Sequence, residues 1–198
     1  KAVYPINTYG MTKALAEKIF RSTDNCTVVR YCNVLDSQGS VTQLWAREDW
    51  DVPLPITDRD MTRFWLTQDQ AQNLVAMAMK GLAPNDAYAQ DGLVVPAPPS
   101  STIAELAEAL YPTREIKITG PRPGEKFHET LLTSEENDGV ELRSDTNANR
   151  IGVHQLRTLV GSFRPSHALE REHVEQGPRF VADPGIRRLS FWRPRPRR

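Results

Sequence analysis

The sequence lacks the features of a membrane-spanning or disulfide-bonded secreted protein. Its only two cysteines, Cys26 and Cys32, cannot form a disulfide framework. No window approaches the roughly 18 apolar residues of a membrane span. The start of the chain has no charged-then-apolar segment typical of a signal peptide. We therefore expect a cytoplasmic protein that does not act with a membrane.

Metal and serine-hydrolase motifs are also missing. The chain has four histidines, and none of them lies at zinc-ligand spacing from the cysteines. We therefore predict no metal site. No Gly-x-Ser-x-Gly segment is present to support a hydrolase.

The net charge of zero conceals an uneven distribution. The 25 Lys and Arg residues balance 25 Asp and Glu residues over the whole chain. Residues 187–198 carry six arginines and no acidic residue, so acidic residues outnumber basic ones by six in residues 1–186. This acidic body argues against nucleic-acid binding. Arginines among Pro, Trp and Phe predict a disordered tail.

Three segments have the signals of helices. Apolar residues recur every four positions over residues 8–21 and predict a helix there. A capping box of Thr67 and Gln70 predicts a second helix that ends near Gly81. A third helix is predicted from about residue 102 to residue 111, and Pro112 is expected to end it.

Short apolar or β-branched runs predict strands between these helices, at residues 27–34, 92–96 and 115–119. Loops are predicted at residues 36–40, 51–60 and 98–101, a turn at 121–126, and a short helix at 126–133. Helices that alternate with short strands indicate an α/β layered fold. Beyond about residue 138 the periodicity is too weak for a prediction.

Tyr9 and Lys13 form the first candidate site. They lie four residues apart on the first predicted helix and so share a face, which is turned away from the stripe of Met11, Leu15 and Ile19. The nearby ammonium favours the phenolate form of the tyrosine. Such a tyrosine can remove a proton from a substrate hydroxyl while a hydride leaves the same carbon. The spacing alone also fits an ordinary surface pair.

Four dense blocks surround and follow this pair. They are KAVYPINTYGMTK at 1–13, RYCNV with SQGSV at 30–41, PITDRDMTRFW at 55–65 and RPGEKFHE at 122–129. Their order and gaps, over residues 1–136, resemble the inverting UDP-N-acetylglucosamine 4,6-dehydratases. That group is a polysaccharide-biosynthesis family within the extended short-chain dehydrogenases/reductases.

The resemblance has consequences for the fold. It implies that residues 1–138 are the C-terminal part of a Rossmann-type parallel sheet, interleaved with a small substrate-binding subdomain. Residues 139–198 would be an extension of uncertain role. The family's Gly-rich nucleotide loop is absent, since no G-x-x-G-x-x-G occurs in the chain. We therefore expect a piece of a longer enzyme, inactive alone and homo-oligomeric at full length.

The resemblance also implies catalytic residues. Lys1 matches the lysine of a Thr-Asp-Lys triplet, whose aspartate would precede the chain. Tyr9 matches the tyrosine that initiates oxidation at sugar C4, and Lys13 matches the lysine that holds the nicotinamide ribose. Tyr9 and Lys13 would thus contact the cofactor as well.

The implied cofactor is NADP, and the implied substrate is a UDP-N-acetylhexosamine. The loop expected to contact NADP consists of Val34, Leu35, Asp36, Ser37 and Gln38. The expected substrate contacts are Asn33, Thr57, Arg63, Arg122 and Glu125. Arginine suits a diphosphate because its planar fork makes bidentate contacts. Without the resemblance, the favoured interpretation of Arg63 and Glu125 is a surface or interdomain salt bridge.

The implied reaction is NADP-dependent 4,6-dehydration of UDP-N-acetylglucosamine with inversion at C5. The enzyme would be a lyase of glycan biosynthesis. A related UDP-sugar 4-epimerase and a non-catalytic sugar-nucleotide-binding fragment remain alternatives. Three departures weaken the match: Cys32 replaces a glycine, while Asp36 and Gln38 replace a common Gly and Arg.

Overall fold

The computed structural model describes residues 1–161. Within this range the helices are α1 (Thr8–Arg21), α2 (Val41–Arg47), α3 (Gln68–Met79), α4 (Ile103–Leu110) and α5 (Val153–Gly161). The strands are β1 (Val28–Val29), β2 (Asn33–Val34), β3 (Leu54–Ile56), β4 (Thr62–Leu66), β5 (Tyr88–Gln90), β6 (Leu93–Val95), β7 (Ser100–Thr102), β8 (Ile116–Ile118), β9 (Thr130–Leu132) and β10 (Leu142–Arg143). The predicted disordered tail at 187–198 lies outside the described residues.

The strands of the described range form four small sheets. Their orders are β1-β6-β5, β2-β4-β7, β3-β8 and β10-β9. The pairs β1–β6, β2–β4 and β3–β8 are parallel. Parallel pairs need crossover connections, and helices supply several of them here. The predicted α/β class is therefore confirmed.

The larger core joins α2, α4 and α5 to the β3 and β4 strands. Trp45 of α2, Leu106 of α4 and Leu156 of α5 are all 0% exposed within this one cluster. The indole of Trp45 also donates a hydrogen bond to the Pro55 carbonyl, at 2.9 Å. Because α5 contributes Leu156 and Val160 to this cluster, the core extends well past residue 138.

A second buried cluster lies under the candidate site. It contains Phe64 of β4, Leu93 and Val95 of β6, and Leu131 and Leu132 of β9. Every residue of β4 is buried, so this strand fixes the positions of the segments that pack beside it. None of the helices in residues 1–161 has both the length and the apolar content that crossing a bilayer requires.

The three predicted helices are confirmed, and their ends follow from local chemistry. The capping box of Thr67 and Gln70 begins α3, and Gly81, at φ 69°, follows its end. A second capping box, of Thr102 and Glu105, begins α4. Such reciprocal side-chain bonds satisfy backbone N–H groups that the first turn leaves unpaired.

Several strand predictions were wrong. The strand predicted over residues 27–34 is split, because β1 pairs with β6 whereas β2 pairs with β4 in another sheet. Residues 98–101 were predicted as loop, but Ser100 and Ser101 belong to β7, which pairs antiparallel with β4. The short helix predicted over 126–133 is instead β9, which pairs with β10. In each case pairing with a distant segment decided the structure.

The apolar stripe of α1 does not face a core. Met11, Leu15 and Ile19 are 55%, 61% and 54% exposed. The buried residue of this helix is Gly10, where an added Cβ would lie 2.9 Å from the Lys1 carbonyl oxygen. The helix therefore meets the body through a close backbone approach at its start rather than through its apolar side chains.

Candidate active site

The start of α1 is fixed to the segment that contains the last of the four motif blocks. Asn7 is the N-cap, and its Oδ1 accepts a hydrogen bond from the Gly10 N–H at 2.8 Å. Its Nδ2 donates to the Gly124 carbonyl at 2.9 Å. One side chain thus sets both the first turn of α1 and its distance from the 121–124 turn.

Tyr9 and Lys13 lie beside one another, as their spacing predicted. The Lys13 ammonium is 5.3 Å from the centroid of the Tyr9 ring, within the range of a cation–π contact. Tyr9 is 60% exposed, so its hydroxyl is accessible. Both residues line a cavity of about 1380 Å³ between α1, α3 and the β1–β2 segment.

Lys1 also lines this cavity. Its Nζ donates to Glu129 Oε1 at 3.1 Å. The buried Gly10 allows the Lys1 backbone to approach α1, as its close contact with the Lys1 carbonyl shows. The three predicted catalytic residues, Lys1, Tyr9 and Lys13, therefore share one cavity.

The predicted substrate residues surround a second cavity of about 680 Å³. Its lining includes all five of them, namely Asn33, Thr57, Arg63, Arg122 and Glu125. The two cavities share a wall, since Asn33, Val34, Ser37 and Gln38 line both. A long ligand could therefore extend from the Tyr9 region to the Arg122 region past Asn33.

Arg63 lies deep in this wall and is only 9% exposed. Its Nη2 is 3.5 Å from Glu125 Oε1, and its Nε is 3.8 Å from Glu129 Oε1. Its Nη1 donates to the Thr62 and Phe127 carbonyls. The salt bridge with Glu125 that the sequence allowed is present, and it lies inside the cavity wall rather than on the outer surface.

Arg122 and Glu125 lie on the turn between β8 and β9. The Arg122 side chain is 72% exposed, whereas Glu125 is 25% exposed and accepts a hydrogen bond from the Thr57 hydroxyl at 3.3 Å. Gly124 has φ 76°, and an added Cβ there would lie 3.2 Å from the Asn7 Cβ. The turn therefore presents an exposed guanidinium, whose Nε lies 4.0 Å from Oε2 of the Glu125 carboxylate.

Only part of the loop expected to contact NADP lines the first cavity. Val34, Ser37 and Gln38 line the first cavity, as expected of cofactor contacts. Leu35 is 3% exposed, belongs to the larger core and reaches only the second cavity. Asp36, at φ 58°, is in the lining of neither cavity.

Two charged residues of the site were missed at the sequence level, although both lie in a quoted motif block. Glu129 contacts Lys1 and Asn33, and Lys126 lines the first cavity and donates to the Val3 carbonyl. Burial lowers the pKa of the Lys126 ammonium, and the charges of Lys1 and Arg63 lower it further, whereas Glu129 raises it. Nothing in their spacing indicated these contacts.

Arg30 is a further residue whose role was not foreseen. Its guanidinium donates to both carboxylate oxygens of Glu17 on α1 and of Glu136, at 2.5–2.8 Å. Although burial opposes it, hydrogen bonding to Arg30 lowers the pKa of Glu136 to about 2. This cluster fastens the middle of α1 to the body of the protein.

The thiols and histidines of residues 1–161 do not form a metal-binding cluster. Burial raises the pKa of the Cys32 thiol well above its usual value, which fits a structural rather than a reactive cysteine. His128 accepts or donates a hydrogen bond with Thr62 and lies 3.8 Å from Asp145. Among residues 1–161, no group of three or more His, Cys, Asp or Glu residues is arranged to hold a metal ion.

The α/β fold of this chain is also similar to that of a solved structure. The structure is similar to the X-ray structure of Pen from Bacillus thuringiensis, with a TM-score of 0.68 and 27% sequence identity. The match covers 81% of this chain and 59% of Pen.

The family follows from the sequence match. Residues 1–149 match the family described as "Polysaccharide biosynthesis protein", and the chain belongs to it. The chain is 34% identical over 146 residues to "UDP-N-acetylglucosamine 4,6-dehydratase (inverting)" of Campylobacter jejuni. It is 38% identical over 149 residues to "UDP-glucose 4-epimerase" of Rickettsia felis. Each match covers 69% of this chain but only 42% of the relative, so the chain spans about two fifths of their length.

Proposed function

We propose that the complete protein carrying this chain performs NADP-dependent 4,6-dehydration of UDP-N-acetylglucosamine, with inversion at C5. The observation that carries the proposal is a pair of neighbouring cavities that share lining residues. Lys1, Tyr9 and Lys13 line one, and the residues expected to bind the sugar nucleotide line the other. The similarity to a Campylobacter dehydratase of that name supports the same reaction.

The first cavity fits the nicotinamide end of NADP. Lys13 provides a cation for the ribose hydroxyls, and Ser37 and Gln38 provide a polar wall opposite Tyr9. Bound NADP would supply the oxidant that takes a hydride from C4 and the reductant that returns it at C6. The resemblance places the binding of its adenosine end in a Gly-rich loop that residues 1–198 do not contain.

The residues of this chain would handle protons. Tyr9 removes the C4 hydroxyl proton, and the Lys13 ammonium lies 5.3 Å from the centroid of its ring. The resulting ketone makes the C5 proton acidic, so Lys1 as a neutral amine can accept it. The aspartate that the resemblance implies beside Lys1 would protonate the 6-hydroxyl, which then leaves as water and gives a C5–C6 double bond. Hydride at C6 and a proton at C5, delivered from the opposite face, would then saturate this bond.

The second cavity would hold the UDP part of the substrate. Arg122, which is 72% exposed, is available for the diphosphate. Glu125 can accept hydrogen bonds from ribose hydroxyls. Arg63, already bound to Glu125 and to backbone carbonyls, would hold that carboxylate in position.

The test is a proton NMR time course of the complete protein with UDP-N-acetylglucosamine and NADP⁺. A 4-keto-6-deoxy product with solvent deuterium at C5 is expected. The matched variant is Lys1→Met, which should still oxidise C4 but lose elimination. If no 4-keto sugar forms with the wild-type protein, the proposal is wrong.

A UDP-sugar 4-epimerase is the second candidate. Similarity to a Rickettsia protein named UDP-glucose 4-epimerase favours it, and such an enzyme would use Tyr9 and Lys13 without elimination. The same time course separates the two, because an epimerase would yield the C4 epimer and keep the C6 hydroxyl. In that case Lys1→Met would leave turnover largely intact.

The isolated 198-residue chain is a third case. We expect it to bind NADP⁺ weakly, because the Gly-rich loop that holds the adenosine end is not part of it. It would then act only as a sugar-nucleotide-binding fragment. Isothermal titration calorimetry tests this, and micromolar affinity of the chain for NADP⁺ would contradict the expectation.

A further inference from the structure

Glu129 lines the first cavity and contacts residues that line each of the two cavities. Its Oε1 accepts a hydrogen bond from Lys1 Nζ at 3.1 Å and lies 3.8 Å from Arg63 Nε. Its Oε2 accepts a hydrogen bond from Asn33 Nδ2 at 2.8 Å. A single carboxylate therefore contacts groups from three separate segments of the site.

Two hydrogen bonds with Ser144 hold the backbone of Glu129 in place. Its N–H donates to the Ser144 hydroxyl at 2.9 Å, and its carbonyl accepts from the Ser144 N–H at 2.8 Å. Ser144 is 0% exposed and lies 2.6 Å from the Thr62 hydroxyl of buried β4. The carboxylate thus projects from a rigid support.

The Lys1 side chain is less constrained than that of Glu129. Its side chain is 54% exposed, compared with 13% for the Glu129 side chain. A flexible, exposed lysine has many rotamers, and a fixed anionic partner selects one of them. Asn33 donates a hydrogen bond to the same carboxylate and lines both cavities. The Lys1 rotamer that Glu129 selects therefore also sets the distance between Lys1 and Asn33.

We propose that Glu129 is the positioning residue that holds Lys1, Asn33 and Arg63 in one arrangement, so that the Lys1 amine reaches the C5 proton of the bound sugar. This proposal rests on the proposed function. Glu129 touches neither the reacting atoms nor the cofactor in this role and acts through Lys1. Misplacement of a reacting group by about 1 Å can cost about 100-fold in rate.

The test compares two steps of the reaction in Glu129→Gln of the complete protein. Gln has nearly the same shape, but an NH₂ donor replaces one of the two acceptor oxygens and would face either the Lys1 amine or the Asn33 amide, which are donors themselves. C4 oxidation, followed by reduced-cofactor absorbance in a single turnover, should stay within about three-fold of wild type. Solvent deuterium incorporation at C5 should fall by about 100-fold.

Two further variants complete the experiment. Glu135→Gln, an exposed carboxylate six residues along, should leave both steps and the melting temperature unchanged. Glu129→Asp, which keeps the charge but shortens the side chain, should recover part of the C5 step. An equal fall of both steps in Glu129→Gln would show a merely structural role, and no change in either would also overturn the proposal.

A crystal structure of Glu129→Gln gives a readout that does not depend on activity. We expect the Lys1 and Asn33 side chains to move away from the positions they have beside Glu129. If Lys1 Nζ and Asn33 Nδ2 both kept those positions, the proposal would be overturned whatever reaction the protein catalyses. Failure of the proposed function is distinguishable, since the wild-type protein itself would then show no C4 oxidation of UDP-N-acetylglucosamine.

Discussion

Helix α1 and the β4 wall carry the two halves of the candidate site, and they are held in different ways. All five residues of β4 are buried, and Arg63 within it has four polar neighbours from its surroundings. In α1 the buried residue is Gly10, while Tyr9 is 60% exposed. The β4 wall is thus part of the packed interior, whereas α1, which carries Tyr9 and Lys13, is attached at a few points.

Those points are the Gly10 contact, the Asn7 bridge to Gly124 and the Glu17–Arg30–Glu136 cluster. The difference predicts that substitutions on the free face of α1 alter chemistry without unfolding the chain. Substitutions at the attachment points should alter stability, and with it the position of the helix.

The largest expected effect is on catalysis. Tyr9→Phe in the complete protein should lower C4 oxidation by at least about 100-fold, because the proton acceptor is removed. The melting temperature should not change, since Tyr9 is mostly exposed. Absorbance of reduced cofactor and a thermal melt provide the measurements. Solvent deuterium incorporation at C5 at the wild-type rate would contradict the assignment.

The next effect is on stability. Arg30→Ala should lower the free energy of unfolding by about 3 kcal/mol, because two largely buried carboxylates lose their shared partner. Arg21→Ala is the matched control, because Arg21 contacts the same two carboxylates but is 30% exposed. That change should cost less than about 1 kcal/mol. Urea denaturation measures both, and equal losses would refute the special role of Arg30.

A smaller effect is expected at the 121–124 turn. Gly124→Ala should cost about 1–2 kcal/mol, because φ is 76° there. The Cβ would also approach Asn7 to 3.2 Å, so UDP affinity and C4 oxidation should weaken together. Gly139→Ala shares the positive φ, 88°, but its Cβ would meet no atom within 4 Å. It should therefore lose stability without loss of UDP binding by calorimetry.

The smallest effect concerns pH. The folded-state pKa of Glu136 is about 2, below its ordinary value of 4.5. A depressed pKa means that its contribution to stability is fully present above pH 4.5 and is lost progressively as the pH falls toward 2. Thermal melts between pH 6 and 3 should show the beginning of this loss. In Glu136→Gln the acid-side slope should be shallower, and an unchanged slope would exclude Glu136 as its source.

Helices α1, α3 and α4 could be predicted from the sequence because their signals are local, whereas α2 and α5 were not predicted. Thr67 with Gln70, and the apolar period of α4, act within a few residues. The strands β7 and β9 could not, since Ser100 and Thr130 became strand residues by pairing with β4 and β10. The exposed stripe of α1 was predicted as the main apolar face, and nothing in its period shows what lies opposite.

The candidate site was predictable only where the motif blocks carried it. The spacing of Tyr9 and Lys13 placed them on one helix face, and the five expected substrate residues do line one cavity. Glu129 and Arg30 were missed because their partners are distant along the chain. Those of Glu129 lie 66 to 128 residues away, and those of Arg30 lie 13 and 106 residues away. Long-range charge pairing has no signature in local spacing.

The bridge from Asn7 to Gly124 has a consequence for how this protein can evolve. It joins positions 117 residues apart, one at the start of the Tyr9 helix and the other on the Arg122 turn. A larger side chain at either position would push the other residue away, so neither position can change in evolution independently of the other. We expect these two positions to covary among the relatives, and a change in substrate choice at the turn to be accompanied by a compensating change at the helix cap.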